Sequence, residues 1–344
     1  MGIRTFMIGE PLAPSSPMIE VLTPIWQRVL QLPSIRVEDN FFDLGGDSSA
    51  ATELFREISR VCGLELPPVM ICQSPTIATL AALLAQPGTP HVPALVPLKA
   101  GADEPPIFIG HGMGDTVLGL VRLARQIESS HPVLGLQARG VDGVEAPLDS
   151  IEAMAQFHVE AIRQMQPHGP YFLVGYSLGG LVTLEIARRL SEGGEEIALL
   201  AMLDSYPHAR HLPTGQRARL TLRLARRRAL TAMQSLKYGG RSPISASPGG
   251  NSAFDPVMQR MRTNDDVAWK RYQPQFYRGK IKFVKAVISS FFPDNPAAVW
   301  SHLAEEFAVE TVPGDHMEML TSYSGNLAAV VSRYLRDASS TLRS

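Results

Sequence analysis

The stretch Tyr171-Phe-Leu-Val-Gly-Tyr-Ser177-Leu-Gly-Gly-Leu-Val-Thr-Leu-Glu-Ile-Ala187 changes character at one residue. Before Ser177 a short apolar run reads as a buried strand. After it, good helix formers follow two glycines and read as a helix. The pentad Gly175-x-Ser177-x-Gly179 on its own is a weak signal. Its position between strand and helix makes it a strong one. The glycines flank a strained turn that lifts Ser177 above the end of a sheet and leaves Leu178 N–H free to receive an oxyanion.

A serine hydroxyl at neutral pH needs a base, and the base needs an acid to orient it. Two residues meet that need in chain order. Asp204 closes the apolar strand Ala198-Leu-Leu-Ala-Met-Leu203. His316 follows Val312-Pro-Gly-Asp315 at the end of another strand. Both therefore lie at carboxyl ends of strands, where α/β sheets place ligands. Asp115 and Asp315 are rival acids, and Asp315, next to the histidine in sequence, is expected to point elsewhere. The loop Gly110-His-Gly-Met-Gly114 follows the strand Ile107–Ile109, and its glycines let backbone approach a substrate. Met113 N–H is the expected second oxyanion donor, and His111 is read as structural. Gly110, Gly112 and Gly114 complete no dinucleotide fingerprint, because Asp115 occupies the last glycine position.

Strands and helices alternate from about residue 105 onward. Strands are expected at 107–110, 132–137, 171–176, 197–203, 280–287 and 307–312. Helices are expected at 117–127, 151–165, 178–190 and 327–335. Such alternation implies a parallel sheet covered on both faces. The run 206–272 interrupts it and reads as a helical lid.

The first 86 residues differ. Residues 1–16 are proline-punctuated and irregular. Helical spacing then appears over 18–32, from Ser49 to about Cys62 with Gly63 as a C-cap signal, and over 76–84. Residues 17–86 thus form a small all-helical unit, and 87–104 reads as a linker. Between the helices lies Val37-Glu-Asp-Asn40-Phe-Phe-Asp43-Leu-Gly-Gly46-Asp-Ser48. Ser48 can be a helix N-cap. It can equally present a hydroxyl at the positive end of a helix, where an attached phosphodiester is favoured.

These motifs carry two resemblances. Val37–Ser48, with Gln73-Ser-Pro-Thr76-Ile-Ala-Thr-Leu-Ala81, resembles the peptidyl or aryl carrier domains of nonribosomal peptide synthetases. The likeness covers about 17–84, and Ser49 departs from it where most carriers have Leu or Ile. From Pro105 onward the chain resembles the type I thioesterase domains that end such synthases, through the elbow, Arg271-Tyr-Gln-Pro-Gln-Phe-Tyr277-Arg-Gly279 and Pro313–His316. The implied fold is a small all-α four-helix carrier followed by an α/β-hydrolase domain (105–344) with a helical lid. The implied cofactor is 4'-phosphopantetheine on Ser48, with Ser177, Asp204 and His316 as nucleophile, acid and base. The implied function is hydrolytic release of a carrier-bound acyl or peptidyl thioester. Macrocyclisation or acyl transfer is the alternative within the class, and a docking module with an inactive hydrolase half the alternative outside it. The implied partners are a phosphopantetheinyl transferase and an upstream adenylation, condensation or other loading enzyme acting in trans.

Composition sets the outer bounds. The 344 residues are 45% hydrophobic and 19% charged with net charge −1, which gives no general pull toward nucleic acid or membrane. Residues 1–16 lack an apolar core, so no signal peptide is expected, and a cytoplasmic location is. Cys62 and Cys72 have no metal-ligand spacing. Charge is uneven, however. Residues 1–86 hold five arginines against nine carboxylates, net −4, whereas 206–254 hold nine Lys and Arg and no acid. Leu220, Leu222, Leu224, Leu230, Met233 and Leu236 within that basic run suggest a lid helix with one buried face. Its basic face, with Arg226, Arg227 and Arg228, is expected either to be merely solvated or to attract the acidic carrier.

Overall fold

The computed structural model describes residues 17–86, 91–237, 255–289 and 292–343, so the irregular segment 1–16 lies outside it. The first helix, α1 (Pro17–Leu30), buries Leu22, Ile25 and Trp26. The second, α2 (Ser48–Cys62), buries Ala51, Leu54, Phe55 and Ile58, the i, i+3, i+4, i+7 stripe of a helix that faces a core. It ends as expected at Gly63, whose φ of 67° is left-handed and whose N–H bonds Ser59 O. Helix α3 (Ile77–Leu84) starts at Thr76, whose side chain accepts from Thr79 N–H. The expected four-helix unit is built of three α-helices and a short 3-10 segment, Pro68–Cys72. Pro67-Pro68 withdraws donors and disfavours α geometry for the preceding residue, so a full helix does not form there.

Among the described residues, seven strands make one sheet in the order β1-β3-β2-β4-β5-β6-β7. They are β1 (Leu95–Lys99), β2 (Ile107–Gly110), β3 (Val133–Leu136), β4 (Tyr171–Tyr176), β5 (Ile197–Leu203), β6 (Tyr277–Ile288) and β7 (Ala304–Asp315). Among the described strands, only β1 runs antiparallel to its neighbour. It lies inside the stretch 87–104 read as linker and pairs with β3 at the sheet edge. As an edge strand it tolerates Pro97, whose missing N–H deprives no neighbour. The later strands are longer than their apolar cores. Exposed cross-strand pairs such as Lys280–Glu306, at 2.7 Å, carry the pairing past the hydrophobic run.

Helices α4 (Val121–Gln126), α5 (Ile151–Met165), α6 (Leu178–Glu192), α7 (Thr214–Lys237), α8 (Asp255–Arg271), α9 (Ala297–Trp300) and α10 (Ser324–Arg343) accompany the sheet. A 3-10 turn, Val117–Leu120, takes the first part of the helix expected at 117–127. The insert between β5 and β6 holds a 3-10 turn, Ala209–His211, then α7 and α8, and residues 238–254 between the two helices lie outside the described residues. On α7, Leu220 is buried but Leu222 is 73% exposed. Two helical steps turn a side chain by about 200°, so the two leucines cannot share a face. The side chains of Leu224, Leu230, Met233, Leu236, Arg227 and Arg228 lie outside the described residues. Arg223 pairs with Asp294 and also donates to Phe292 O, so it serves the hydrolase domain itself.

The small helical unit meets the hydrolase domain at a different place. Val69, Met70 and Ile71 of its 3-10 segment share one apolar cluster with Val117, Leu118 and Leu120. Arg125 pairs with Asp43 at the rim, with its guanidinium 5.9 Å from the Phe42 ring centroid. Apolar burial dominates this contact, because an exposed ion pair contributes only about 0–1 kcal/mol.

Candidate active site

Sheet register brings the site together. The strand order reverses between β2 and β4, and the crevice beyond their carboxyl ends is the ligand position of an open α/β sheet. Tyr176 pairs with Leu203, and Leu203 with Val284, which sets Ser177 and Asp204 side by side just past the sheet edge. Ser177 N–H donates to Leu203 O at 2.9 Å, and Asp204 N–H to Val284 O at 2.7 Å. Strand β7, one strand beyond β6, is long enough to carry His316 to the same level.

Ser177 has φ 54° and ψ −120°, the strained backbone of the expected elbow. Only glycine fits on either side. A Cβ on Gly175 would sit 2.3 Å from Thr183 Oγ1, and one on Gly179 would sit 2.5 Å from the Gly110 carbonyl carbon. That close approach presses the N-terminus of α6 against the end of β2. It sets Leu178 N–H, an unpaired first-turn donor, opposite the loop Gly110–Gly114.

Ser177 O–H donates to His316 Nε2 at 3.0 Å, and His316 Nδ1–H donates to Asp204 Oδ2 at 2.8 Å. Asp204 is buried and receives a further N–H from Ala286 at 3.3 Å, so its carboxylate is held for the imidazole. The rival acids have other work. Asp315 accepts Met317 N–H and Glu318 N–H in the turn after β7. Asp115 accepts Thr116 N–H. The three sequence-predicted residues are therefore brought together as one hydrogen-bonded set.

Two aromatic residues around the imidazole escaped the sequence reading. The Tyr176 ring stacks on His316 at 4.7 Å and 19°, and its hydroxyl donates to His316 O at 2.7 Å. Phe292 meets the imidazole edge-on at 4.8 Å. A tyrosine inside a strand looks like core, and Phe292 has no local pattern. Burial pushes the Tyr176 phenol far up, so it remains a neutral donor.

Met113 is half-buried in the loop after β2, and its N–H meets no backbone acceptor among the described residues. His111, beside it, is buried. Its Nε2 accepts Ala138 N–H at 3.3 Å, which leaves Nδ1–H to donate to Gly112 O at 2.8 Å.

In the helical unit the loop before Ser48 is anchored by Phe41, fully buried and edge-on to Trp26 at 5.2 Å. Asn40 Oδ1 accepts Phe42 N–H, and Gly45 turns the chain with φ 90°. The cap of α2 is Asp47, whose Oδ1 accepts Ala50 N–H at 2.8 Å. Ser48 is thus relieved of capping and stands exposed in the first turn. A primary hydroxyl at a helix N-terminus suits attachment of a phosphodiester. No helix among the described residues is long and apolar enough to cross a membrane, and no His/Cys/Asp/Glu group among them could hold a metal. Cys72 is buried and its thiol pushed up to about 12 by desolvation, which makes it inert.

The thioesterase domain family matches residues 105–337, and the phosphopantetheine attachment site family matches residues 20–84. A dimodular nonribosomal peptide synthase of Bacillus subtilis (strain 168) is 38% identical over 196 residues, 57% of this chain and 8% of that protein. The chain spans only a small part of the curated relatives it matches. Holo-AB3403, a four-domain nonribosomal peptide synthetase bound to AMP and glycine, aligns with 94% of this chain and 26% of its own, at 23% identity and TM-score 0.57. The NocB thioesterase domain, in covalent complex with a fluorophosphonate nocardicin G analogue, aligns with 67% of this chain and 95% of its own, at 22% identity and TM-score 0.51. These structures share the α/β-hydrolase fold. The chain belongs to the thioesterase domain family and carries, ahead of that domain, a phosphopantetheine attachment domain of the kind found in nonribosomal peptide synthetases.

Proposed function

We propose that this chain holds an acyl or peptidyl thioester on a phosphopantetheine arm at Ser48 and releases it by hydrolysis at Ser177. The observation that carries the reading is the Ser177–His316–Asp204 relay, at 3.0 and 2.8 Å, in a chain that also presents the exposed Ser48 in the first turn of α2. The arm, when attached, supplies the thiol that bears the acyl group. The rest is done by the protein's side chains and backbone.

His316 Nε2 takes the Ser177 proton as Oγ bonds to the thioester carbonyl carbon. The carbonyl oxygen becomes an oxyanion held by Leu178 N–H and Met113 N–H, each such donor typically lowering the barrier by about 3 kcal/mol. Asp204 keeps Nδ1–H in place and stabilises the imidazolium. The C–S bond then breaks, and His316 Nε2–H protonates the departing thiolate. Water, deprotonated by His316, attacks the acyl-serine and restores Ser177. Water is preferred over an internal amine or hydroxyl because no added motif argues for cyclisation. In this reading residues 17–86 are the carrier and β1 onward is the thioesterase. The α7–α8 insert acts as lid, and loading comes from upstream synthetase modules after modification by a phosphopantetheinyl transferase.

The test loads the protein with an acyl-pantetheine group, using a phosphopantetheinyl transferase and an acyl-coenzyme A, and follows intact mass with time. The wild type should gain the acylated arm and lose the acyl group. Ser177→Ala should gain and keep it. Ser48→Ala should gain nothing. An arm on Ser48→Ala, or acyl loss from Ser177→Ala at the wild-type rate, would overturn the reading.

A further inference from the structure

The oxyanion loop Gly110–Gly114 is short, glycine-rich and outside any strand, yet one of its amides must keep a fixed aim. Two hydrogen bonds on either side of Met113 do the holding. Gly112 O is gripped by His111 Nδ1–H at 2.8 Å. Gly112 C=O and Met113 N–H belong to one trans peptide plane and point opposite ways, so fixing the carbonyl directs the N–H. On the far side, Gly114 N–H donates to Asp265 Oδ2 at 2.8 Å, across 151 residues of sequence.

Asp265 sits on α8, the second helix of the insert, and is only 4% exposed. Burial pushes its carboxyl up, and Gly114 N–H and nearby His111 oppose that shift. A buried carboxylate with one hydrogen-bond partner among the described residues is an expensive way to hold a helix in place, because its desolvation is barely offset. The same helix touches the loop a second time. Gly114 has φ 64°, and a Cβ there would lie 2.9 Å from the Cβ and Cγ of Arg262. Met261, one turn before Asp265, is in the core. At its other end α8 is fastened by Trp269 Nε1–H to Tyr206 O at 3.0 Å and by Ala268, fully buried. The loop is thus clamped by a helix that is itself anchored.

We propose that Asp265 is a positioning residue for the oxyanion hole, its carboxylate holding Gly114 N–H so that Met113 N–H faces the reacting carbonyl, and that α8 thereby sets the geometry of the hole. This rests on the reading of Met113 and Leu178 as the oxyanion donors. Asp265 touches no reacting atom. Its effect reaches the chemistry through one peptide unit, and it should therefore alter kcat far more than KM.

The experiment uses the full chain and an acyl N-acetylcysteamine thioester, with Asp265→Asn and Asp265→Leu compared. The amide oxygen of asparagine can still accept Gly114 N–H, and leucine of similar size cannot. Asp265→Leu should lose kcat about 10–100-fold, a part of what a whole oxyanion donor contributes, with KM changed less than about threefold. Asp265→Asn should keep kcat within about threefold of the wild type, since it retains the acceptor. Thermal midpoints of both variants report folding, and Asp265→Asn, freed of a buried charge, should melt no lower than the wild type. Equal kcat in the leucine variant and the wild type would overturn the proposal. So would equal losses in the two variants. If the wild type neither hydrolyses the thioester nor reacts with a fluorophosphonate, the serine-thioesterase reading itself falls.

Discussion

Replacing Tyr176 by phenylalanine removes one oxygen and leaves the ring. The lost bond is the 2.7 Å donation to the carbonyl of His316, and the 4.7 Å stack on the imidazole remains. A net hydrogen bond contributes about 0.5–1.5 kcal/mol, and a largely buried carbonyl left without a donor adds to the loss, so about 1–2 kcal/mol is at stake. The loop that presents His316 leaves β7 at Asp315, and Tyr176 is its tie to β4. We therefore expect the loss in the fraction of molecules with an aligned imidazole, a fall in kcat of roughly 5–30-fold. KM for a small thioester should change less than about twofold, because the phenol makes no substrate contact in this reading. Steady-state turnover of an acyl N-acetylcysteamine thioester measures both constants. Combination with His316→Ala identifies the route, since residues acting through one another do not add. Wild-type kcat in Tyr176→Phe, or the same fold loss on the His316→Ala background, would refute the reasoning.

Asp204→Asn should lower kcat by about 10³–10⁴, as loss of an orienting acid does, whereas Asp315→Asn should lose less than about tenfold because that carboxylate only caps a turn. Initial rates of the two variants decide between them. His158 is buried and its imidazole pulled down from 6.5 to about 3 by desolvation. The folded state binds its proton less readily than the unfolded chain, so stability from this group is complete above pH 6.5 and falls as the solution is acidified toward pH 3. The slope is about 1.4 kcal/mol per pH unit, and urea midpoints across that window should show it reduced in His158→Leu. Asp43→Arg should break the rim pair with Arg125 and slow release of a carrier-bound acyl group by at most about fivefold, leaving the small thioester unaffected. Single-turnover mass spectrometry, compared with turnover of the small thioester, separates the two.

Much of the hydrolase site was legible because its parts obey local rules. Ser177 lies between a strand run and a helix run, and the tight packing at Gly175 and Gly179 explains the glycines in terms of close backbone approach. Asp204 and His316 each follow a strand read from the sequence; β5 ends with its run at Leu203, and β7 continues past 312 to Asp315, directly before His316. Strand β1 was missed because five residues flanked by prolines look like linker until an edge needs covering. The buried face assigned to α7 failed at Leu222 because apolar content was read without angular spacing. The hydroxyl of Ser48 and the cap of α2 could not be separated by composition, since Asp47 and Ser48 both suit an N-cap. Only the bond from Ala50 N–H assigns that role to Asp47.

The sequence by itself determined the two classes of structure, the strand-end positions of Ser177, Asp204 and His316, and a serine at the head of a carrier helix. These follow from periodicity and punctuation, which act over a few residues. The tertiary structure alone decided which acid faces His316, that Tyr176 and Phe292 enclose its ring, that Asp265 on α8 reaches the loop Gly110–Gly114, and that the carrier meets the hydrolase at Val117–Leu120. Each joins residues far apart in the chain, brought together by sheet register and helix packing, for which no local pattern encodes a partner.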